Sequence, residues 1–352
     1  MDNNEQYVIS VGIPVYNVGK YIHKCILSVL NQTFDGSIEI LVVDDQSPDN
    51  SIDIVKELKD KHPNGYKIRI LKQPHNMGCW AARNKILQEA NGKYIFFVDA
   101  DDFIVPNTLE ILYTYAEKNE AEVVYGSVVS VNEKGEPITF SQGDMTLPFK
   151  VLIGKDQLAS FANQNTHPTL YNFIWNVLLR KDFITNNNLQ FKETRFADDI
   201  LFETDMQPLV ERAVLLPNET YYYVLREGSL SNFQKRQHID RAEIKQYIKV
   251  YTYIKNQVRE LKDKSYFETR CVKVMKYMFF IVCGAIHNQD KITPKLTNTM
   301  IRDAMTHPIG LSKLIKFKRY KAINIGFWLI GALPPMLSVW IIKAIGKWKH
   351  LI

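Results

Sequence analysis

Cysteine is scarce in this chain. Its 352 residues include four, Cys25, Cys79, Cys271 and Cys283, and no two form a CxxC pair. Such scatter excludes a disulfide-dense scaffold and a cysteine-rich zinc module. The glycine signatures that cradle phosphates are missing too. Neither GxGxxG nor GxxxxGK followed by Ser or Thr occurs, which excludes the usual dinucleotide dehydrogenase and P-loop enzyme. No HExxH pattern is present. The opening MDNNEQYV has neither a basic nor an apolar signal region, so no secretory leader is expected. Acids are nearly absent from the end of the chain. Residues 291–352 hold 11 basic residues against one acid, Asp303, while residues 1–290 hold 33 basic and 37 acidic. The net charge of +6 therefore belongs to the C-terminal segment, and nucleic acid is not an expected partner.

What is present reads as a globular α/β protein. Hydrophobic residues make up 46% and charged residues 23%, so a disordered or fibrous chain is excluded. Short apolar runs at 7–13, 38–45, 67–71, 94–98 and 122–129 read as strands. The stretches at 21–30, 52–61, 79–90 and from Pro106 to about Lys118 have helical spacing. IEILVVDD, residues 38–45, is apolar without alternation through its centre, as expected of a strand covered on both faces. Strand and helix alternate as in an open, mostly parallel sheet. Such sheets bind ligands beyond the carboxyl ends of their strands.

Those ends carry polar groups. The first strand ends in Pro14-Val15-Tyr16-Asn17, the second in Asp44-Asp45-Gln46-Ser47, and the fourth in Asp99-Ala100-Asp101-Asp102. Three carboxylates so close repel one another unless a cation or buried hydrogen bonds offset them. Mn2+ or Mg2+, which take hard oxygen ligands and bridge carboxylates to phosphates, would suit the first case. The bland alternative is an Asp-rich turn capping the next helix. Arg83 is a candidate to neutralise a diphosphate, or else a solvated helix residue.

Taken in order, PVYN at 14–17, LSVLNQTF at 27–34, ILVVDDQSPDNS at 40–51, HNMGCWAARN at 75–84 and NGKYIFFVDADD at 91–102 resemble the family 2 glycosyltransferases, inverting nucleotide-sugar enzymes of GT-A fold. Trp175-Asn176, FADDILFETDM at 196–206, and Arg226 with Ser229-Leu230-Ser231 extend the likeness. The resemblance implies residue roles. Asp44 or Asp45 holds the nucleotide base. Pro14, Tyr16 and Asn17 line the nucleotide cleft, with Arg83 near the base and diphosphate and Asp99 facing the ribose. Asp101 and Asp102 belong to the metal motif, Asp101 as first choice. Asp199 matches the usual catalytic base. Asp198 stands where the family often has Glu, so the base is one of Asp198 and Asp199. A nucleotide sugar, UDP-linked by resemblance, is then the donor. A saccharide hydroxyl, lipid-linked on a polyprenyl carrier in one version, is the acceptor in bacterial surface-polysaccharide assembly. An inactive nucleotide-sugar-binding scaffold and a sugar-phosphate nucleotidyltransferase are the competing classes.

The expected division is a catalytic domain over 1–235, a helical extension packing on it over 236–308, and a basic, apolar membrane-associating tail over 309–352. Within the first part, 137–165 is read as a lid or a static connector. Tyr247, Val250, Tyr251 and Ile254 share one helix face. In the tail, residues 322–342 run 21 positions without a charge, broken by Pro334-Pro335 and flanked by lysines. The proline pair argues against a plain span. An interfacial helical hairpin on an anionic membrane is the favoured reading, over a span and over a buried helix pair or dimer contact. That places the chain at the cytoplasmic face of a bacterial membrane and leaves a homo-oligomer open.

Overall fold

A computed structural model of the chain describes residues 7–138, 145–164, 170–226 and 238–351. The chain divides into two units, Met1–Ala162 with Pro168–Arg226, and Asn163–His167 with Glu227–Ile352.

Runs of Val, Ile and Leu build the first unit. Strand β1 (Ile9–Val15) pairs in parallel with β2 (Ile38–Asp44), whose seven residues are all buried. β2 pairs with β3 (Ile68–Lys72), and β1 with β4 (Tyr94–Phe97), again in parallel. The unbroken apolar pattern has a direct consequence. Ile40 and Val42 enter one core, and Leu41 and Val43 enter another on the opposite face of the sheet. Helix α1 (Ile22–Leu30) covers the first face with Ile22, Cys25, Ile26, Val29 and Leu30, the i, i+3, i+4 stripe of an amphipathic helix. Helices α2 (Ser51–Lys61) and α3 (Cys79–Glu89) follow β2 and β3.

The second half of this sheet is mixed. β5 (Phe103–Ile104) and α4 (Thr108–Asn119) lead to β6 (Val123–Val131). Then come β7 (Lys150–Ile153), α5 (Gln157–Ala162), β8 (Val177–Arg180), α6 (Lys181–Asn186), α7 (Asp198–Met206) and β9 (Arg212–Val224). Among the described residues the strand order is β3-β2-β1-β4-β8-β6-β9-β5, with β7 also on β9. β8 runs antiparallel to both β4 and β6, and β5 and β7 run antiparallel to β9. The α/β class is as expected, but the parallel character stops at β4, apart from the β6–β9 pair. Of the stretch 137–165, residues 139–144 and 165 lie outside the described residues. Much of the rest is tied down: Met145 and Leu147 are buried, Leu147 N donates to Ser127 Oγ at 2.8 Å, and β7 joins the sheet. The connector reading therefore fits the described part.

Register decides where the site lies. Val15 pairs with Asp44, and Gly12 with Phe97, so β1, β2 and β4 deliver their polar continuations to one edge.

The second unit is helical: β10 (Ile239–Asp240), α8 (Arg241–Gln257), α9 (Phe267–His287), β11 (Ile292–Thr293), α10 (Asn298–Ala304), α11 (Leu311–Leu314), α12 (Lys321–Ala332) and α13 (Pro335–Trp348). Asp240 caps α8 by accepting from Ala242 N, and Thr297 caps α10 through Met300 N. Val250 and Ile254 of the anticipated α8 face are buried, and Tyr247 and Tyr251 pack against the core. Ile330, Val339 and Ile342 share that core with Met275, Met278 and Ile301, so residues beyond 309 do not stand apart from the preceding helices. The 21-residue uncharged run is split by Leu333-Pro334 into two helices, and among the described residues no helix is long and apolar enough to cross a membrane.

One tight spot in the first unit is testable. A Cβ at Gly92, just before β4, would lie 2.5 Å from Ser10 N and 2.8 Å from the Ile9 carbonyl carbon. Backbone atoms cannot swing aside as a side chain can. Gly92→Ala is expected to cost about 1–3 kcal/mol, read as a lowered thermal midpoint; an unchanged midpoint would contradict this packing.

Candidate active site

The acids after β4 are offset by protein groups, each in a different way. Asp99 Oδ1 accepts from Arg83 Nη2 at 2.9 Å. Asp101 Oδ2 accepts from Arg226 Nε at 2.6 Å. Asp102 is buried, with Oδ2 accepting from Tyr221 Oη and Oδ1 from Val224 N, both at 2.8 Å. Tyr221 in turn accepts from Asp99 N at 3.1 Å, so one β9 hydroxyl ties two of the acids together. Burial, reinforced by the charges of Asp101 and Asp99, pushes Asp102 well above the usual carboxylate range. Burial also raises Asp99, against the pull of Arg83. Asp102, expected in the metal motif, has each of its oxygens bonded to β9 in this structure. Asp99 and Asp101 each keep one carboxylate oxygen with no donor among the described residues.

Arg83 is buried, not a solvated helix residue, and its guanidinium faces two acids. It sits on the buried face of α3, and Nη1 donates to Asp198 Oδ2 at 2.8 Å while Nη2 holds Asp99. Its guanidinium lies 5.7 Å from the Phe191 ring centre, and its buried Nε has no partner among the described residues. Burial works against its charge, but Asp198 and Asp99 outweigh it, so the group stays cationic.

Asp198 and Asp199 open α7, after Ala197 in left-handed backbone. The helix N-terminus favours negative charge there. The two acids differ in freedom. Asp198 is buried and spent on Arg83. Asp199 is partly exposed, and among the described residues its Oδ1 accepts only from its neighbour, Ile200 N, at 2.8 Å. Burial first, then the Asp198 charge, push Asp199 up to about 7 against the opposing pull of Arg83. One turn on, Glu203 is fully buried and accepts from Tyr125 Oη at 3.0 Å and Gln207 Nε2 at 2.9 Å. Burial pushes Glu203 up to about 8 despite those bonds.

The other strand ends complete the edge. Asp45 accepts from Met77 N and Gly78 N, each at 2.8 Å, and so fixes the entry to α3, where Gly78 has a φ of 92° that suits glycine. Asp44 Oδ1 accepts from Ser47 N at 2.8 Å. Asn17 has a left-handed φ of 54°, and its N–H donates to Ser47 Oγ at 3.0 Å. Pro14 is partly buried at the end of β1, and the Tyr16 ring is exposed beyond it. Ser229-Leu230-Ser231 lie outside the described residues.

Tyr221, Glu203 and Tyr125 were not anticipated from the sequence. Their signal was weak. Tyr221-Tyr222-Tyr223 looks like surface β-rich sequence, yet period-2 alternation buries Tyr221 under the acids and stacks it on Trp175 at 4.6 Å.

Comparison with known proteins bears on the family and the fold. Residues 10–177 match the model of glycosyl transferase family 2. The chain is 28% identical over 327 residues to the uncharacterized glycosyltransferase YibD of Escherichia coli K12, covering 92% of this chain and 91% of that one. It is 26% identical to the cholesterol galactosyltransferase of Borreliella burgdorferi over 95% of this chain and 92% of the relative. Residues 1–349 of S. aureus TarS, solved with UDP-GlcNAc, superpose with a TM-score of 0.65 at 19% identity, over 92% of this chain and 90% of that one, a likeness of fold. The strand ends, the acids they carry and these relatives converge on glycosyl transferase family 2, the family that residues 10–177 of this chain match.

Proposed function

We propose that the chain is an inverting glycosyltransferase. It moves one sugar from a nucleotide-sugar donor, UDP-linked, to a hydroxyl of a saccharide acceptor during assembly of a bacterial cell-surface polysaccharide. The observation that carries the reading is the contrast at the start of α7: Asp198 is locked to Arg83, while Asp199 is partly exposed and raised to about 7. The UDP-GlcNAc bound by TarS, a protein of like fold, supports the donor class. The relative named as a cholesterol galactosyltransferase supports an acceptor at or in a membrane. We place the reaction at the cytoplasmic face of the cell membrane, with a polyprenyl-linked saccharide as acceptor.

Asp199 is the catalytic base in this account. As the acceptor oxygen attacks the anomeric carbon, its proton becomes acidic and passes to the Asp199 carboxylate. The bond from sugar to phosphate breaks, and its electron pair leaves with the nucleoside diphosphate. One displacement inverts the anomeric centre. A base poised near neutral pH is stronger than an ordinary Asp yet still largely ionised above pH 7. Asp198 would have to surrender its ion pair to take the same proton, so it serves to position Arg83. Asp44 is the better candidate for the nucleotide base, because both oxygens of Asp45 are occupied by the loop before α3. Pro14, Tyr16 and Asn17 line the nucleotide side at the end of β1.

A divalent ion fits this donor set. Among the described residues no group of three or more acids, histidines or cysteines is arranged to hold a metal. Asp101 and Asp99 nevertheless offer hard oxygens, and Mn2+ or Mg2+ is commonly held by one or two carboxylates with substrate phosphates and water completing the shell. Asp101, with Asp99, would hold it, and it would neutralise charge growing on the leaving diphosphate.

The proposal is tested by nucleoside-diphosphate release from the full chain with Mn2+, across UDP-, GDP- and dTDP-sugars, with and without bacterial lipid extract. Release with a UDP-sugar that rises on adding lipid is expected. Binding of UDP without release from any donor would favour an inactive scaffold. Asp199→Asn is expected to keep UDP binding and lower transfer by a factor on the order of 10²–10⁴. Wild-type transfer should fall as pH drops below about 7, because the base is then protonated. The same shift has a stability sign. In the unfolded chain the carboxyl ionises at its ordinary value, so above pH 7 the folded state carries an ionised carboxylate that burial disfavours, and below the ordinary value it carries none. Asp199→Asn should therefore raise the thermal midpoint more at pH 8 than at pH 5. Preserved turnover in that variant would move the base elsewhere. Asp101→Ala should weaken Mn2+-dependent UDP binding by about tenfold or more; an unchanged Mn2+ titration would remove Asp101 from the metal site.

A further inference from the structure

The outer faces of α12 and α13 are an unusual surface. Their inner faces bury Ile330, Val339 and Ile342 in the core of the second unit. Outward, around the Leu333-Pro334 break, stand Leu329 at 49% exposure, Met336 at 77%, Leu337 at 44% and Trp340 at 66%. On α13, positions 336, 337, 340, 343, 344 and 347 follow one outward stripe, all exposed. The stripe begins with Met336, Leu337 and Trp340 and ends with Lys343 and Lys347. The other end of the pair is basic as well, since Lys318, Arg319 and Lys321 lead into α12. No acid follows Asp303 in the sequence. The surface is thus apolar at the turn of a helical pair and positive at its far ends.

We infer that this helix pair is a membrane-insertion device: the turn between α12 and α13 enters one leaflet of an anionic phospholipid bilayer, while the lysines at the far ends sit among its headgroups. The dimensions agree. From Met336 to Lys343 is seven residues, about 10 Å along a helix. Apolar faces of interfacial helices are buried about 5–10 Å into the headgroup and acyl boundary. Crossing is excluded for these helices by length, at 12 and 14 residues against a hydrocarbon core about 30 Å thick. The single sign of charge selects the occupant. Polybasic segments gain from anionic lipid, and exposed Trp suits the interface. A second copy would set the same lysines against one another. The inference rests on the membrane placement proposed above but not on the transfer chemistry. Its test reads binding alone, so either can fail without the other.

The test is flotation of the full chain with vesicles of phosphatidylcholine alone and of phosphatidylcholine with phosphatidylglycerol. Binding is expected only with phosphatidylglycerol and should weaken as salt rises. The pair Met336→Glu with Trp340→Glu, and separately the pair Lys343→Glu with Lys347→Glu, should each lower the partition coefficient by about tenfold or more. All four side chains point outward, so circular dichroism and thermal midpoint should match wild type. Failure of the folded wild-type chain to float with phosphatidylglycerol would overturn the inference. So would undiminished flotation of the Met336/Trp340 pair. Light scattering gives the remaining outcome: a wild-type dimer that the Met336/Trp340 pair turns to monomer, with vesicle binding unchanged, would assign the face to a second copy instead.

Discussion

The site depends on one buried cation. Arg83 reaches from α3 to Asp99 after β4 and to Asp198 at the start of α7, and these are the two segments that present the remaining acids. Removing one partner of such a pair leaves an uncompensated buried charge, a cost of about 3–5 kcal/mol. The anchoring of Arg83 is layered. Asp45 holds the backbone at Gly78, Gly78 opens α3, and α3 aims Arg83 at Asp99 and Asp198. An acid at the end of β2 thus controls, two steps removed, where the carboxylate of α7 lies.

The remaining acids divide labour by the partner each receives. Asp102 holds Tyr221 and the β9 backbone. Asp101 is balanced by Arg226, which also lies 5.3 Å from the Tyr21 ring centre. Asp99 shares Arg83. Among the described residues Asp199 shares no cation through a hydrogen bond, and burial, then the like charge beside it, raise it. Asp99, Asp101, Asp102 and Asp198 thus each accept from a side chain or strand elsewhere in the fold, whereas Asp199 accepts from its own neighbour.

Much of the fold was readable because it is local. β1 to β4 and α1 to α4 follow from apolar runs, spacing and Pro or Asp punctuation, and each lies within a residue or two of its expected place. The site edge followed from the same reading, since parallel strands must end on one side. What stayed hidden is long-range pairing. That Arg83 meets Asp198, 115 positions later, is set by the packing of α3 against α7, which no spacing encodes. Its helix periodicity reads equally well as a solvated position. The mixed half of the sheet was missed for a similar reason: β8 inserts between β4 and β6, and four residues, Val177–Arg180, carry no mark of which neighbours they choose. The C-terminal pair was legible in kind, through Pro334-Pro335, but not the face it leaves outward.

The pH dependence of transfer in Asp198→Asn tests the central claim most directly. If Asp198 only holds Arg83 and raises Asp199, losing its charge should leave measurable transfer and move the acidic limb of the profile below the wild-type value near 7. Transfer abolished in folded, UDP-binding Asp198→Asn, together with full activity in Asp199→Asn, would reverse the two roles and contradict the account.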